Sequence, residues 1–151
     1  MTERLLPPGH FGCDDVGVGD RIDTAQVLVS ADLIDAFAAL TGDRFAIHLS
    51  DQAAQDHGFP ARVAHGLLVL SLVDGLKNQC PAQFRAIASL GWTWTFRAAV
   101  LAGDSIAASI SVTEKRPTRR TDRGILQLTF TVSNQRGEVV QLGQNLLMVR
   151  R

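Results

Sequence analysis

The sequence predicts an α+β fold in which an antiparallel sheet wraps around one long apolar helix. Residues 65–78 are apolar on nearly every side, which is typical of a buried helix. From residue 85 onward, apolar side chains recur at every second position, which is typical of strands. Helices come before most of the strands, and this order favours α+β over an alternating architecture. We expect a single domain over residues 1–151, with about five strands around a long buried central helix.

The first half of the chain is predicted to hold a lead-in, one strand and two helices. The opening residues are rich in Gly, Pro and Asp, so residues 1–15 predict an irregular lead-in. Residues 21–29 alternate in polarity and predict a strand. Ser30 is a good N-cap for a helix that ends near Gly42. Residues 50–57 predict a short second helix, followed by a loop that leads to the central helix.

The second half is predicted to hold the central helix and four strands. The first of these strands carries an aromatic stripe, Trp92, Trp94 and Phe96, which at strand spacing is more typical of a core or dimer surface than of a cofactor site. The other three strands are predicted over residues 106–116, 124–132 and 139–149. One small sheet does not cover a helix on every side, so the pattern also suggests a partner subunit.

Composition limits the classes of partner. The chain has 15 basic and 15 acidic residues, and this neutral balance gives no reason to expect nucleic acid or a membrane surface. Cys13 and Cys80 lack metal-ligand spacing and are expected to be free thiols. No apolar segment has the pattern of a signal peptide or the length of a membrane span, so we expect a cytoplasmic protein.

The segment TGDRFAIHLSD, residues 41–51, places Asp43 and His48 in a connecting loop with apolar residues between them. An acid and a histidine held together can activate a water molecule. Gly66 lies at the predicted start of the central helix, where N–H groups are unpaired and carry partial positive charge. Such an N–H can stabilise an enolate or oxyanion. These parts suit hydration of a double bond conjugated to a carbonyl, or hydrolysis of a thioester; the same residues also fit a turn cap and an ordinary half-buried histidine.

The residues resemble those of the MaoC-like dehydratases, also called the (R)-specific enoyl-CoA hydratase or hydratase 2 family. The family pattern D-x-N-P-x-H, followed by A-H-G at the central helix, here reads DRFAIH and then AHG. The segment SLGWTWTFRAAVLAGDSI is similar to the strand-turn-strand of the family. The resemblance covers nearly the whole chain from about residue 16, and a joint match of order and spacing is more specific than one motif.

The resemblance implies a hotdog fold and the reversible addition of water to a trans-2-enoyl-CoA thioester, which gives a 3-hydroxyacyl-CoA. Asp43 and His48 would hold the attacking water, and the backbone N–H of Gly66 would donate to the thioester oxygen. No metal or redox cofactor is implied, because coenzyme A enters as part of the substrate. The family also implies a homodimer, with the acyl chain entering near the subunit boundary.

The chain departs from the family pattern where Phe45 and Ala46 replace the Asn-Pro between Asp and His. Phe45 is therefore a candidate for lining the substrate pocket. His65 at the helix start and Ser71 within the helix are further candidates for substrate contacts. The usual proline of the strand before the Gly-Asp turn is also absent.

Two rival functions remain open on the sequence. A thioesterase of the same fold would release free thiol, and a non-catalytic hotdog protein would bind an acyl thioester without turnover.

His48, His57 and His65 lack zinc-type spacing, so no metal site is expected. Basic residues cluster over residues 115–123; such clusters are usually solvated loops, although arginines there could hold the phosphates of coenzyme A.

Overall fold

A computed structural model describes residues 3–151, which form a seven-stranded sheet, a separate two-stranded sheet and three α-helices. The strands, numbered in chain order, are β1 Arg4–Leu5, β2 Gly9–Phe11, β3 Asp20–Asp23, β4 Val27–Leu28, β5 Ala82–Phe84, β6 Ala86–Phe96, β7 Ser105–Pro117, β8 Arg123–Asn134 and β9 Val139–Arg150. The helices are α1 Ala31–Thr41, α2 Asp51–Asp56 and α3 Gly66–Lys77. No helix within residues 3–151 is long and apolar enough to cross a membrane.

The main sheet has the order β1-β3-β7-β8-β9-β6, and β4 pairs with β7 beyond β3. Strands β7, β8 and β9 form an antiparallel meander, and β6 pairs with β9 at the end of the sheet. The predicted α+β class and the four long strands of the second half are thus confirmed. Strand β6 forms one edge of the sheet, which matters for the site described below.

Two predictions for the first half need correction. The strand expected over residues 21–29 is interrupted, because Thr24 donates its N–H to the Ala108 carbonyl while its hydroxyl accepts the Ala108 N–H, at 2.9 Å each. The chain then continues as the separate strand β4. The lead-in is also more regular than expected, since it contains β1, which pairs parallel with β3, and β2, which pairs parallel with β5.

The central helix α3 packs one face on the sheet and leaves the other face uncovered. Val69 and Val73 are completely buried, whereas Leu67 is 59% exposed and Ser71 is also exposed. This agrees with the expectation that one small sheet does not cover the buried central helix on every side. The physical reason is that a single sheet contacts only one side of a helix.

The core lies between α3 and the facing side of the meander. Along β8 the buried side chains alternate with half-exposed ones, and Phe130 is completely buried. Its ring centroid lies 5.4 Å from those of Trp92 and Trp94, so the aromatic stripe of β6 extends this core. Two hydrogen bonds hold the start of α3. The Ala64 N–H donates to the Val100 carbonyl in the segment after β6, at 2.8 Å, and the Gln141 amide of β9 donates to the Gly66 carbonyl, at 3.1 Å.

Candidate active site

A pocket of about 530 Å³ opens at the N-terminus of α3, next to the loop that follows α1 and the segment that follows β6. Its walls are mainly apolar, and Gly66 forms part of the wall nearest the helix start. The polar and charged residues that line it are Asp43, His48, His65, Arg97 and Gln141. An apolar pocket with a few convergent polar groups is typical of a small-molecule site.

Asp43 is placed by the end of α1. Gly42 adopts a left-handed conformation, with φ of 78°, and this terminates the helix. The N–H of Asp43 donates to the Thr41 hydroxyl at 3.1 Å, and its carboxylate oxygen Oδ1 accepts the N–H of Phe45 at 3.2 Å. The other carboxylate oxygen has no hydrogen-bond partner within residues 3–151, and the side chain is exposed to the pocket solvent.

The Phe45-Ala46 pair occupies a tight turn without disrupting it. A short 3-10 helix spans Ala46–His48, and the His48 N–H donates to the Phe45 carbonyl at 2.9 Å. The Phe45 ring meets the His48 and His57 rings edge-on, with centroids 6.1 and 5.6 Å apart. Phe45 is 54% exposed and does not line the pocket, so it lies behind the histidine rather than in front of it.

His48 is buried and has one defined tautomer when neutral. Its Nδ1 lies 2.7 Å from the Val63 carbonyl oxygen. A carbonyl oxygen only accepts, so Nδ1 must carry the proton and donate it. Consequently Nε2 keeps its lone pair and can accept a proton from a bound molecule.

His65 braces both members of this pair. Its ring stacks on that of His48, with centroids 3.8 Å apart and an interplanar angle of 23°. Its Nε2 lies 2.9 Å from the Asp43 carbonyl oxygen, so Nε2 carries the proton and donates. The side chain is 2% exposed and Phe37 packs edge-on against it at 4.9 Å. The sequence offered His65 only as a substrate contact and did not reveal this bracing position.

Ligand-type atoms of Asp43, His48 and His65 all lie within 4.8 Å of one another. Two hydrogen bonds of about 2.8 Å through one water span roughly 4.5–5 Å, so a single water fits between the carboxylate and an imidazole. His57 is not in this group, because its Nδ1 contacts the Ala53 carbonyl at 2.8 Å outside the pocket. The expectation of no metal ion here stays a prediction.

Gly66 begins α3 and presents unpaired N–H groups to the pocket. The helix's own hydrogen bonding starts with Val69 N–H donating to the His65 carbonyl, so the N–H groups before Val69 have no intrahelical partner. A Cβ at position 66 would overlap the Phe96 ring, which lies against the glycine backbone. Glycine is thus required by close packing here and not by an unusual backbone angle.

Three pocket residues were not identified as site residues from the sequence. The sequence predicts Phe96 only as part of an aromatic core stripe. Arg97 lies in the segment that lacks the usual proline of the family. Gln141 is 1% exposed; its amide donates to the Gly66 carbonyl and its Oε1 accepts the Trp94 indole N–H at 2.8 Å. A glutamine at an inward-facing strand position was the signal that could have revealed it. Ser71 donates to the Leu67 carbonyl at 2.8 Å, is exposed, and does not line the pocket.

Comparison with protein families and characterised relatives gives a consistent result. Residues 15–134 match the model of the MaoC like domain. The chain is 34% identical over 137 residues to a 3-hydroxybutyryl-CoA dehydratase of Methylorubrum extorquens, covering 90% of this chain and 82% of the relative. It is 32% identical over 111 residues to an (R)-specific enoyl-CoA hydratase of Aeromonas caviae, covering 74% and 79%.

Solved structures show the same fold. The (R)-hydratase from A. caviae involved in PHA biosynthesis superposes with a TM-score of 0.72 at 29% identity, over 87% of this chain and 96% of that chain. A Mycobacterium tuberculosis protein with a double hotdog fold superposes with a TM-score of 0.81 at 23% identity, over 93% of this chain and 44% of that chain. The predicted hotdog fold is therefore confirmed.

The hydrogen bonds predict opposite tautomers for the two stacked histidines. Neutral His48 should carry its proton on Nδ1 and neutral His65 on Nε2, because each of these nitrogens faces a carbonyl oxygen. Long-range proton–nitrogen correlation NMR at a pH where both are neutral distinguishes the two forms. Exposed His10 serves as the solvent reference. A spectrum in which His48 is protonated on Nε2 would contradict the assignment of its free lone pair.

Proposed function

The chain belongs to the family of MaoC-like domains, and we propose that it is an enoyl-CoA hydratase that adds water reversibly to a trans-2-enoyl-CoA thioester to give a 3-hydroxyacyl-CoA. The observation that carries this proposal is the convergence of Asp43, His48 and the first N–H groups of α3 on one apolar pocket. Two relatives are named for this chemistry, one as a 3-hydroxybutyryl-CoA dehydratase and the other as an (R)-specific enoyl-CoA hydratase. Water addition transfers no electrons, so the reaction itself needs no redox cofactor.

Asp43 and His48 hold the nucleophilic water. An ionised carboxylate only accepts hydrogen bonds, and Nε2 of His48 keeps its lone pair. A water between them donates one hydrogen bond to each, so its own lone pair points towards the substrate. Its oxygen bonds to C3 of the enoyl group, its proton passes to the pair, and a proton returns from the pair to C2.

Gly66 stabilises the charge that develops during this addition. When water attacks C3, negative charge moves to the thioester oxygen as an enolate. The N–H of Gly66 at the helix start is unpaired and is favoured to donate to such an oxygen. The Gln141 amide donates to the Gly66 carbonyl and so holds the following peptide of the helix start, and the Phe96 ring lies against the glycine.

Replacing Asp43 by Asn or His48 by Gln should lower kcat/KM for crotonyl-CoA hydration by roughly 10²- to 10⁴-fold, because each change removes a proton acceptor of the water. The reaction is followed by loss of the enoyl-thioester absorbance. His57→Gln is the matched control, since His57 is a nearby histidine that does not line the pocket. Wild-type-like activity of Asp43→Asn and His48→Gln would refute the assigned roles. Release of free thiol in the same assay would indicate a thioesterase instead.

The packing of Phe96 on Gly66 predicts a coupled pair of substitutions. Gly66→Ala keeps the backbone N–H but pushes the ring away from its position, and a displacement of about 1 Å near the chemistry can cost on the order of 10²-fold in rate. Phe96→Ala removes the overlapping ring. The kcat/KM of the double variant should therefore be roughly ten-fold or more above that of Gly66→Ala. Strictly additive losses in kcat/KM would contradict this account.

The active form in this proposal is a homodimer joined through the free edge of β6. Residues 86–96 contain no charged residue and no proline, so this long edge lacks two of the usual protections against pairing with another strand. Its two bulges, between Ala86 and Ala88 and between Ser89 and Gly91, leave residues 91–96 in regular register. Leu90 and Phe96 on it are 47% and 55% exposed. A second copy, related by a two-fold axis, would offer a matching antiparallel edge. The double hotdog relative supports this, since this chain covers about half of it.

A lysine in place of Leu90 should therefore shift the protein from dimer to monomer, because the two copies would bring like charges to the paired edge. Sedimentation velocity at several protein concentrations measures the mass. Leu28→Lys is the control, because Leu28 is 55% exposed on β4 at the other side of the sheet. A dimer that persists in Leu90→Lys and dissociates in Leu28→Lys would place the interface elsewhere.

The proposed location is the cytoplasm. Cys13 and Cys80 are both free and buried, which suits a reducing compartment.

A further inference from the structure

Arg97 is the one permanently charged cation among the residues that line the pocket. It follows directly after β6, where its N–H donates to the Val140 carbonyl at 2.7 Å. Its side chain is exposed, and its guanidinium forms no hydrogen bond or ion pair with residues 3–151. The contrast is Arg62, which is held by Asp35 and by the His48 carbonyl. Arg97 therefore has all its donors available to a ligand.

We propose that Arg97 binds the diphosphate of coenzyme A at the mouth of the pocket and so selects coenzyme A thioesters over shorter thiol carriers. This inference rests on the proposed function. An enoyl thioester with its carbonyl at Gly66 and C3 at the Asp43–His48 water places its acyl end among the apolar walls. The thiol carrier then extends towards solvent, where Arg97 is exposed. A guanidinium matches phosphate oxygens by paired hydrogen bonds.

The basic cluster of residues 115–123 is less suited to this task within the same chain. Arg116 pairs with Glu114, and Arg120 and Arg123 share Asp122, so three of its five cations already contact a carboxylate. Position 123 also lies nine residues along β8 from position 132, which pairs with Gln141 of the pocket. At about 3.4 Å per residue this is roughly 30 Å. Arg97, by contrast, is part of the pocket wall.

The test compares crotonyl-CoA with crotonyl-pantetheine, which has the same reacting group and pantetheine arm but no nucleotide or diphosphate. Arg97→Ala should raise KM for crotonyl-CoA about ten-fold, as expected for a charged hydrogen bond at a partly solvated site. Its kcat, and its KM for crotonyl-pantetheine, should match those of the wild type. Arg97→Lys, which keeps the charge, should recover part of the affinity. Arg119→Ala is the matched control, since Arg119 is an exposed arginine in the distant cluster.

Three results would overturn the proposal. An equal rise in KM for both substrates would mean a general packing role, and a nucleotide-specific rise in Arg119→Ala alone would move the phosphate contact to the cluster. Fumaryl-pantetheine, which adds a carboxylate at the acyl end, is assayed as a third substrate, and a rise in its KM alone would place Arg97 at the acyl end. If the wild type hydrates neither crotonyl ester, the proposed function fails. Calorimetry then measures the affinity for free coenzyme A and still tests whether Arg97 binds it. In that case the wild type must bind about ten-fold tighter than Arg97→Ala for the inference to stand.

Discussion

The hydrogen bond from the His65 ring to the Asp43 carbonyl oxygen connects two parts of the chain that carry the site. His65 is the last residue before α3, and Asp43 follows the end of α1. Because the same ring stacks on His48, one buried side chain fixes the Asp43 loop, the proposed base His48 and the helix start together. Catalytic groups held by buried neighbours keep their geometry without reorganisation during the reaction. The separation of Asp43 and His48 thus depends on a residue that need not touch the substrate.

The loss of the Asn-Pro pair becomes understandable in this arrangement. The backbone N–H of Phe45 donates to the Asp43 carboxylate, and any residue except proline could supply this N–H. Ala46 starts the 3-10 turn, where helical dihedrals are accessible without a proline. The aromatic ring of Phe45 packs edge-on against His48 on the side away from the pocket. The loop is held by main-chain contacts, so the substitution changes its outer surface more than its inner face.

Strand β6 carries residues of the candidate site and also the edge of the proposed subunit contact. Its last residue, Phe96, contacts Gly66, and Arg97 follows in the pocket wall, while the free edge of the same strand has no charged residue and no proline. A neighbouring copy on that edge would therefore lie next to the pocket entrance. This places the proposed substrate channel and the proposed subunit contact on one element.

The sequence by itself determined the class of fold, the long strands and the presence of an Asp, a His and a helix-start glycine in order, because periodicity and caps are local properties. It did not determine the contacts of His65 with His48 and Asp43, the packing of Phe96 on Gly66 or the position of Arg97, because these contacts join residues 17 or more positions apart. Nor did it show that α3 is buried on one face only. Burial is decided by which elements cover a surface, and only the tertiary structure supplies that.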